Sequence, residues 1–250
     1  MYLLLHVDAR SKKYGNALAT ACGNRHERIV HLVLANSANV NTMCERYASP
    51  VQAAYHYADL HVHDYNDHKK EAQSVNIVRL LLSYGADADA QTDEHDNVLA
   101  SACSIGQEKM VRLLLDKGVN VNRSCKRYGT PPQAACEGHG RHSHGDVDDL
   151  DRRQETIVRL LLRKGADVNA PGGKYGNALI AACARGHHKI VCLLIDRGVD
   201  VNAEGGEHGR ALTVARHGGD HCDIEKSNDR REVECFEKIV QSLLASGAKG

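Results

Sequence analysis

Histidines gather in three short stretches of this chain: His56, His61, His63 and His68; His139, His142 and His144; His217 and His221, the last beside Cys222. Asp64, Asp67, Asp146, Asp220 and Asp223 lie among them. Imidazole nitrogens with nearby carboxylates or a thiolate are the donors that Zn²⁺ takes, four at a time and at about 2.0–2.2 Å for nitrogen and oxygen. On residue type alone, His61, His63, His68, His139, His142, His144, His217, His221 and Cys222 are therefore candidate metal ligands. The spacings argue the other way, because no stretch repeats another's pattern and no C-x-x-C pair accompanies them. Solvated polar loops are the simpler expectation, and no cofactor is expected. Catalysis has less support still. Neither G-x-S-x-G nor G-x-x-x-x-G-K-[ST] occurs, so neither a nucleophile elbow nor a phosphate loop is present in the sequence. Cys183 and His187 stand four residues apart, but Gly186 ends the helix between them and Cys183 falls on an apolar face. No catalytic residue is assigned and no enzyme is expected.

The elements that would carry these residues are best seen from Lys174 to Ala203. Leu179, Ala182 and Cys183 give a short apolar face at i, i+3, i+4; Gly186 breaks it; Ile190, Val191, Leu193, Leu194 and Ile195 form a second apolar run. This is helix, turn, helix. Asn177 is placed to cap the first helix, and Gly198 suits a left-handed helix end. A first helix of about two turns, rich in Ala, does not persist alone in water and must stack on neighbours. Copies follow: equivalent positions Asn41, Asp89, Asn122, Asn169 and Asn202 are spaced by 48, 33, 47 and 33 residues. Helix-start positions Tyr14, Tyr47, His95, Tyr128, Tyr175 and His208 put six units in register, and Cys22, Cys103, Cys136 and Cys183 occupy one equivalent position.

The second, fourth and sixth units carry extra residues between their helices, and these inserts hold the histidines. Part of each insert is expected to lengthen the second helix, with Asp67, Asp149 and Asp229 as caps. In the last unit Val233, Phe236, Ile239, Val240, Leu243 and Leu244 are expected to face inward, with Glu237, Gln241 and Ser242 toward water.

These units resemble the ankyrin repeat, whose T-P-L-H-x-A helix start and G-A-D-V-N-A close are matched here by Ser49-Pro50-Val51-Gln52-Ala53-Ala54, Thr130-Pro131-Pro132-Gln133-Ala134-Ala135 and Gly165-Ala166-Asp167-Val168-Asn169-Ala170. No unit retains the His of that motif. The short units read Y-G-N-A-L (Tyr14 to Leu18, Tyr175 to Leu179), a variant similar to ankyrin arrays of large fungal signalling proteins. The resemblance implies an all-α ankyrin-repeat solenoid of about six helix-turn-helix units with hairpin-like loops, alternate units carrying insertions between their helices. One domain is expected over residues 1–250. Its units run approximately 14–42, 43–90, 91–123, 124–170, 171–203 and 204–250, with residues 1–13 as a partial first unit.

The resemblance also implies that the hairpin tips and the outward face of each first helix line a concave binding surface. Four of the six residues preceding the helix-start position are basic, each next to a tyrosine: Lys13 and Tyr14, Arg46 and Tyr47, Arg127 and Tyr128, Lys174 and Tyr175. Such a stripe could hold a protein partner with an acidic or phosphorylated segment. Thr20, Gln52, Ser101, Gln133, Ile180 and Thr213 on the first helices would set specificity.

Lys plus Arg equals Asp plus Glu at 32 each, so bulk charge gives no reason to expect nucleic-acid binding. Trp is absent and Phe occurs once, so the interior must be aliphatic. Cysteines repeated at one helix position would lie about 8–10 Å apart, beyond the roughly 7 Å a disulfide allows, which suggests reduced thiols and a cytoplasmic chain, with the nucleus left open. MYLLLHV is too short for a signal core or a membrane span, and no membrane association is expected. The leading expectation is a non-catalytic protein–protein interaction module, or scaffold. The alternatives are a structural protein whose copies stack end to end as a homo-oligomer, and a metal-responsive binder acting through the histidine inserts.

Overall fold

The computed structural model describes residues 16–43, 49–60, 68–90, 97–138, 147–218 and 230–249. Among them are twelve α-helices in pairs: α1 (Ala17–Gly23) and α2 (Glu27–Ala35), α3 (Pro50–Leu60) and α4 (His68–Ser83), α5 (Val98–Ser104) and α6 (Glu108–Asp116), α7 (Pro131–Glu137) and α8 (Val147–Arg163), α9 (Ala178–Ala184) and α10 (His188–Asp196), α11 (Ala211–Arg216) and α12 (Arg230–Ala245). A two-stranded antiparallel hairpin, β1 (Glu204–Gly205) with β2 (Gly209–Arg210), precedes α11. No helix among the described residues is long and apolar enough to cross a membrane.

The chain divides into two compact units. One holds α1 to α4 and the C-terminal part of α6; the other holds nearly all of α5, the start of α6, and α7 to α12. In the first, α1 packs on α3 and α2 on α4. In the second, α7, α9 and α11 stack first helix on first helix, while α10 lies against both α8 and α12.

Helix length carries the insertions. The second helices α2, α6 and α10 have 9 residues each, whereas α4, α8 and α12 have 16, 17 and 16. The inserts thus lengthen the second helices, as their charged helix formers predict. The cap assignment is corrected at one place: Asp149 lies inside α8, which starts at Val147. Asp67 and Asp229 lie outside the described residues.

Four second helices bury the same stripe. Ile77, Val78 and Leu81 in α4, Met110, Val111 and Leu114 in α6, Ile157, Val158 and Leu161 in α8, and Ile190, Val191 and Leu194 in α10 are all at most 1% exposed. Burial of each such side chain is worth about 1.5–3 kcal/mol. On the facing first helices, Cys22, Cys103, Cys136 and Cys183 are completely buried. Burial pushes the Cys22 thiol up to about 12 and raises the other three as well. These are packing residues, inert at neutral pH.

The last helix differs from expectation. Phe236, Ile239 and Leu243 are buried, but Val233 and Leu244 are 56% and 47% exposed. Leu244 stands in sequence where the half-buried Ile195 stands in α10. Val233 and Leu244 therefore belong to a flank of α12 and not to its inward stripe.

The turn between successive layers is wired by a chain of hydrogen bonds. In the second unit the Asn122 N–H donates to Asn120 Oδ1 (3.0 Å), and Asn122 Oδ1 accepts from the Asp167 N–H (2.8 Å). Asp167 Oδ1 accepts from the Asn169 N–H (2.9 Å), and Asn169 Oδ1 from the Asp200 N–H (2.8 Å). Asp200 Oδ1 accepts from the Asn202 N–H (2.9 Å), and Asn202 Oδ1 from the Lys249 N–H (2.7 Å). Each amide also donates forward, Asn122 to the Gly165 carbonyl (3.1 Å), Asn169 to that of Gly198 (3.4 Å) and Asn202 to that of Gly247 (3.1 Å). In the first unit Asn41 does the same toward Gly85 and Asp87. The Asn- or Asp-x-Asn close of the repeats thus has a mechanism: the first residue forms an Asx turn that aims the second at the next layer.

Helix ends explain one local departure. Gly85, Gly118, Gly165, Gly198 and Gly247 end second helices at positive φ, and Ser37 takes that place after α2 with φ 64°. A left-handed conformation costs a residue with a Cβ roughly 1–2 kcal/mol. Ser37→Gly is expected to stabilise the protein by about 1 kcal/mol, read as a higher denaturant midpoint with unchanged slope.

Candidate functional site

The hairpin tips of the second unit are built backbone first. The Cys125 N–H donates to the Gly129 carbonyl (2.7 Å) and the Gly129 N–H returns to Cys125 (3.0 Å); in the following tip the Gly172 N–H donates to Gly176 (2.8 Å). The third tip is the β1–β2 hairpin, where Arg210 holds Glu204 at 2.8 Å. Consecutive tips touch through glycine. A Cβ on Gly173 would lie 2.7 Å from the Tyr128 carbonyl oxygen, and one on Gly176 would lie 2.3 Å from Gly205 Cα. Only a residue without a side chain lets the turns approach so closely.

The first two of these tips each carry a ring and a cation. Arg127 lies over the Tyr128 ring at 5.0 Å, and Lys174 over the Tyr175 ring at 5.4 Å. Tyr175 also stacks on His208, with ring centroids 4.9 Å apart. Cation–ring contacts of this kind are worth about 0.5–1 kcal/mol at exposed sites. Tyr128 and Tyr175 are buried, 5% and 6% exposed, while Arg127 and Lys174 are exposed. Of the residues expected to line the binding stripe, Tyr128 and Tyr175 are therefore withdrawn from a partner, and the cations stand over their rings. Lys13, Tyr14, Arg46 and Tyr47 lie outside the described residues.

The first-helix positions expected to set specificity divide. Thr213 is exposed and Thr20 and Ser101 are half-buried, but Gln52, Gln133 and Ile180 are buried. Gln133 has a structural task. Its Oε1 accepts from the Thr130 N–H (2.7 Å), and its Nε2 donates to the Ala170 carbonyl of the next turn (2.7 Å). One side chain thus caps its own helix and ties it forward, at the position where the T-P-L-H motif has histidine. Asn16 and Asn177 cap α1 and α9 at 2.7 and 2.8 Å.

Of the histidine and cysteine positions proposed for metal, His217 is exposed at the end of α11, and its Nδ1–H donates to the Thr213 carbonyl (2.8 Å). His68 opens α4. His61, His63, His139, His142, His144, His221 and Cys222 lie outside the described residues. Near the pair considered for catalysis, His187 Nδ1 is 3.0 Å from Asp151 Oδ1, and Cys183 is a fully buried thiol with its pKa raised by that burial. Nothing there activates a nucleophile.

Sequence reasoning missed the part played by the repeated asparagines, which mark the register of the units and also form the interlayer hydrogen-bond chain. The signal was their recurrence at one position. It missed the glycine contacts because a tight turn and a close interlayer approach look alike in sequence.

Comparison with known proteins agrees with this architecture. Two solved structures superpose on nearly the whole chain, each with a TM-score of 0.67. An ankyrin repeat domain from Acinetobacter baumannii AYE is 21% identical and covers 93% of this chain and 98% of its own. The human ASB11 ankyrin repeat domain is 22% identical and covers 98% of this chain and 89% of its own. Among curated proteins, the "Ankyrin repeat, SAM and basic leucine zipper domain-containing protein 1" of Loxodonta africana is 43% identical over 72 residues, and that of Echinops telfairi 41% over 70. These alignments cover 26% of this chain and 15% and 14% of those two relatives. The sequence profile described as "Ankyrin repeats (3 copies)" matches residues 70–144 and 150–224, more than half of the chain, and the protein belongs to the ankyrin repeat family.

Proposed function

We propose that this chain is a non-catalytic binding module that captures an acidic or phosphorylated segment of a partner protein along its hairpin tips. Ankyrin repeats are in general protein–protein interaction modules, typically without catalysis. The observation that supports the finer reading is the pair Arg127 and Lys174: two exposed cations on consecutive tips, each held over a buried tyrosine. The tips themselves are locked through Gly129 and Gly173, where an added Cβ on Gly129 would stand 2.6 Å from the Gly173 nitrogen. A fixed spacing of cations spares much of the ordering cost of binding. Arg can grip a carboxylate or phosphate with two parallel hydrogen bonds, while Lys acts as a point charge.

The test uses a fluorescently labelled peptide rich in Glu and phosphoserine, titrated by anisotropy. The double variant Arg127→Glu, Lys174→Glu is expected to weaken binding by about tenfold or more, and added salt to weaken the unmodified protein's binding in parallel. Equal affinity in the double variant, with its helix content intact, would rule the reading out.

A further inference from the structure

Arg127 and Lys174 hold the same place in two consecutive repeats, each over the ring of the tyrosine that follows it, at 5.0 and 5.4 Å. Their charges are therefore one layer apart. The first helices that follow these tips, α7 and α9, pack directly on each other, and neighbouring helices pack with about 8–10 Å between their axes. Glycine contacts hold the tips at that step, since a Cβ on Gly173 would lie 2.7 Å from the Tyr128 carbonyl oxygen. On the third tip the row of cations stops. Glu207 stands in sequence where Arg127 and Lys174 stand in the two tips before it. Arg210 donates from both Nε (3.0 Å) and Nη2 (2.8 Å) to Glu204 Oε1, and the Glu204 side chain is 70% exposed.

A peptide that meets both cations must present two acidic groups on one edge, about 8–10 Å apart. Backbone geometry decides which conformation can do so. In a β-strand the side chains of one face recur every second residue, about 6.6 Å and then about 13 Å along the chain, and the residue three positions on points to the other face. In an α-helix the same face offers about 6 Å at i and i+4, then about 10.5 Å at i and i+7. In a polyproline II helix every third side chain returns to one edge after about 9.3 Å. Of these spacings the last alone falls inside the step between layers. Prolines also fix φ in that conformation beforehand, which leaves less ordering to be done on binding.

We propose that the hairpin tips recognise a polyproline II segment with acidic groups at positions i and i+3, one engaged by Arg127 and the other by Lys174, and with no acid at i+6. This specificity rests on the tips being the binding edge. Carboxylate and phosphate share the required chemistry: Arg127 can grip either with two parallel hydrogen bonds, and Lys174 answers either as a point charge. A third acid would come to the third tip, where Arg210 is already engaged and the Glu204 carboxylate repels a like charge.

Fluorescent peptides with two glutamates separated by one, two or three prolines test the spacing, titrated by anisotropy against the full chain. Two intervening prolines should bind about fivefold or more tighter than one or three, and tighter than an alanine-rich helical peptide with glutamates seven residues apart. Equal affinity at every spacing, with binding still lost in the double variant Arg127→Glu, Lys174→Glu, would overturn the spacing and leave the tips as the binding edge. No binding by any peptide would overturn both. In Lys174→Ala the two-proline peptide should bind no better than its counterpart with one glutamate replaced by glutamine, and an undiminished advantage would overturn the pairing of Lys174 with the second acid. A third glutamate at i+6 should add no affinity, and a gain would contradict the end of the row at the third tip. Phosphoserine in place of both glutamates should keep the same order of spacings, and the tighter of the two sets identifies phosphate or carboxylate as the group bound. Far-ultraviolet circular dichroism checks that each variant is folded and that the two-proline peptide is polyproline II.

Discussion

Gly176→Ala should destabilise the protein by about 3 kcal/mol or more, while the same change at Gly198 should cost only about 1 kcal/mol. The two glycines have nearly the same backbone, φ 82° and 78°. Both substitutions therefore incur the left-handed penalty of a Cβ, roughly 1–2 kcal/mol. They differ in what the new methyl meets. At Gly198 nothing lies within 4 Å, whereas at Gly176 the Cβ would fall 2.3 Å from Gly205 Cα and 2.4 Å from the Gly205 carbonyl carbon and the Gly206 nitrogen. Backbone cannot rotate aside as a side chain can, so the two hairpins must separate. The separation would disturb the stacking of Tyr175 on His208 and loosen Lys174 above Tyr175. Thermal melts should place the midpoint of Gly176→Ala roughly 6–12 °C below that of the unmodified protein, taking about 2–4 °C per kcal/mol for a chain of this size. Equal losses at the two positions would mean that the contact between hairpins contributes nothing.

Asn122→Ala should cost about 2 kcal/mol, because it breaks the interlayer chain at both ends of one side chain. The amide donates to Gly165 at 3.1 Å and accepts from Asp167 at 2.8 Å, and a net contribution of about 1 kcal/mol per bond is ordinary. Asn122→Asp separates the two bonds. It keeps an acceptor for the Asp167 N–H but sets a carboxylate against the Gly165 carbonyl, so it should cost about as much as the loss of the donor, about 1 kcal/mol or somewhat more. The chain carries its own version of this change. Asp89 holds the position that Asn41, Asn122, Asn169 and Asn202 hold elsewhere, and a carboxylate cannot donate to the carbonyl at the position of Gly118. Asp89→Asn is expected to gain about 0.5–1 kcal/mol. Urea denaturation of the three variants checks the set, and a stabilising Asn122→Asp would contradict the hydrogen-bond chain.

Each of these effects belongs to a contact between layers, and this marks the limit of what could be read beforehand. The apolar run Ile190, Val191, Leu193, Leu194 and Ile195 specifies a helix with one buried stripe, because a period of 3.6 residues is a local property of the chain. The cap at Asn177 is equally local: its Oδ1 accepts from the Ile180 N–H three residues on. Recurrence of Cys22, Cys103, Cys136 and Cys183 at one position implied buried, unpaired-with-each-other thiols, since one layer spacing exceeds disulfide reach. Family and fold were legible for the same reason, as repetition makes the register of short signals unambiguous.

Tertiary structure decided which side chains remain for a partner. Tyr128, Tyr175, Gln52, Gln133 and Ile180 all sit at positions that a first helix or a hairpin could turn to solvent, and all five are buried. Nothing within one repeat distinguishes Ile180 from the half-buried Ser101 or the exposed Thr213, because what covers a position comes from residues distant in sequence. The same holds for His188 and Cys192 on α10: only the folded chain brings Ser242, 50 residues beyond Cys192, to 3.3 Å from the His188 Nε2 and 3.8 Å from the Cys192 Sγ. The sequence by itself determined the repeating unit, because helix period, caps and turns act over a few residues. Only the folded chain determined the glycine contacts, the asparagine bonds between turns and the three-atom cluster on α10 and α12, because each depends on the distance between layers, which no single repeat contains.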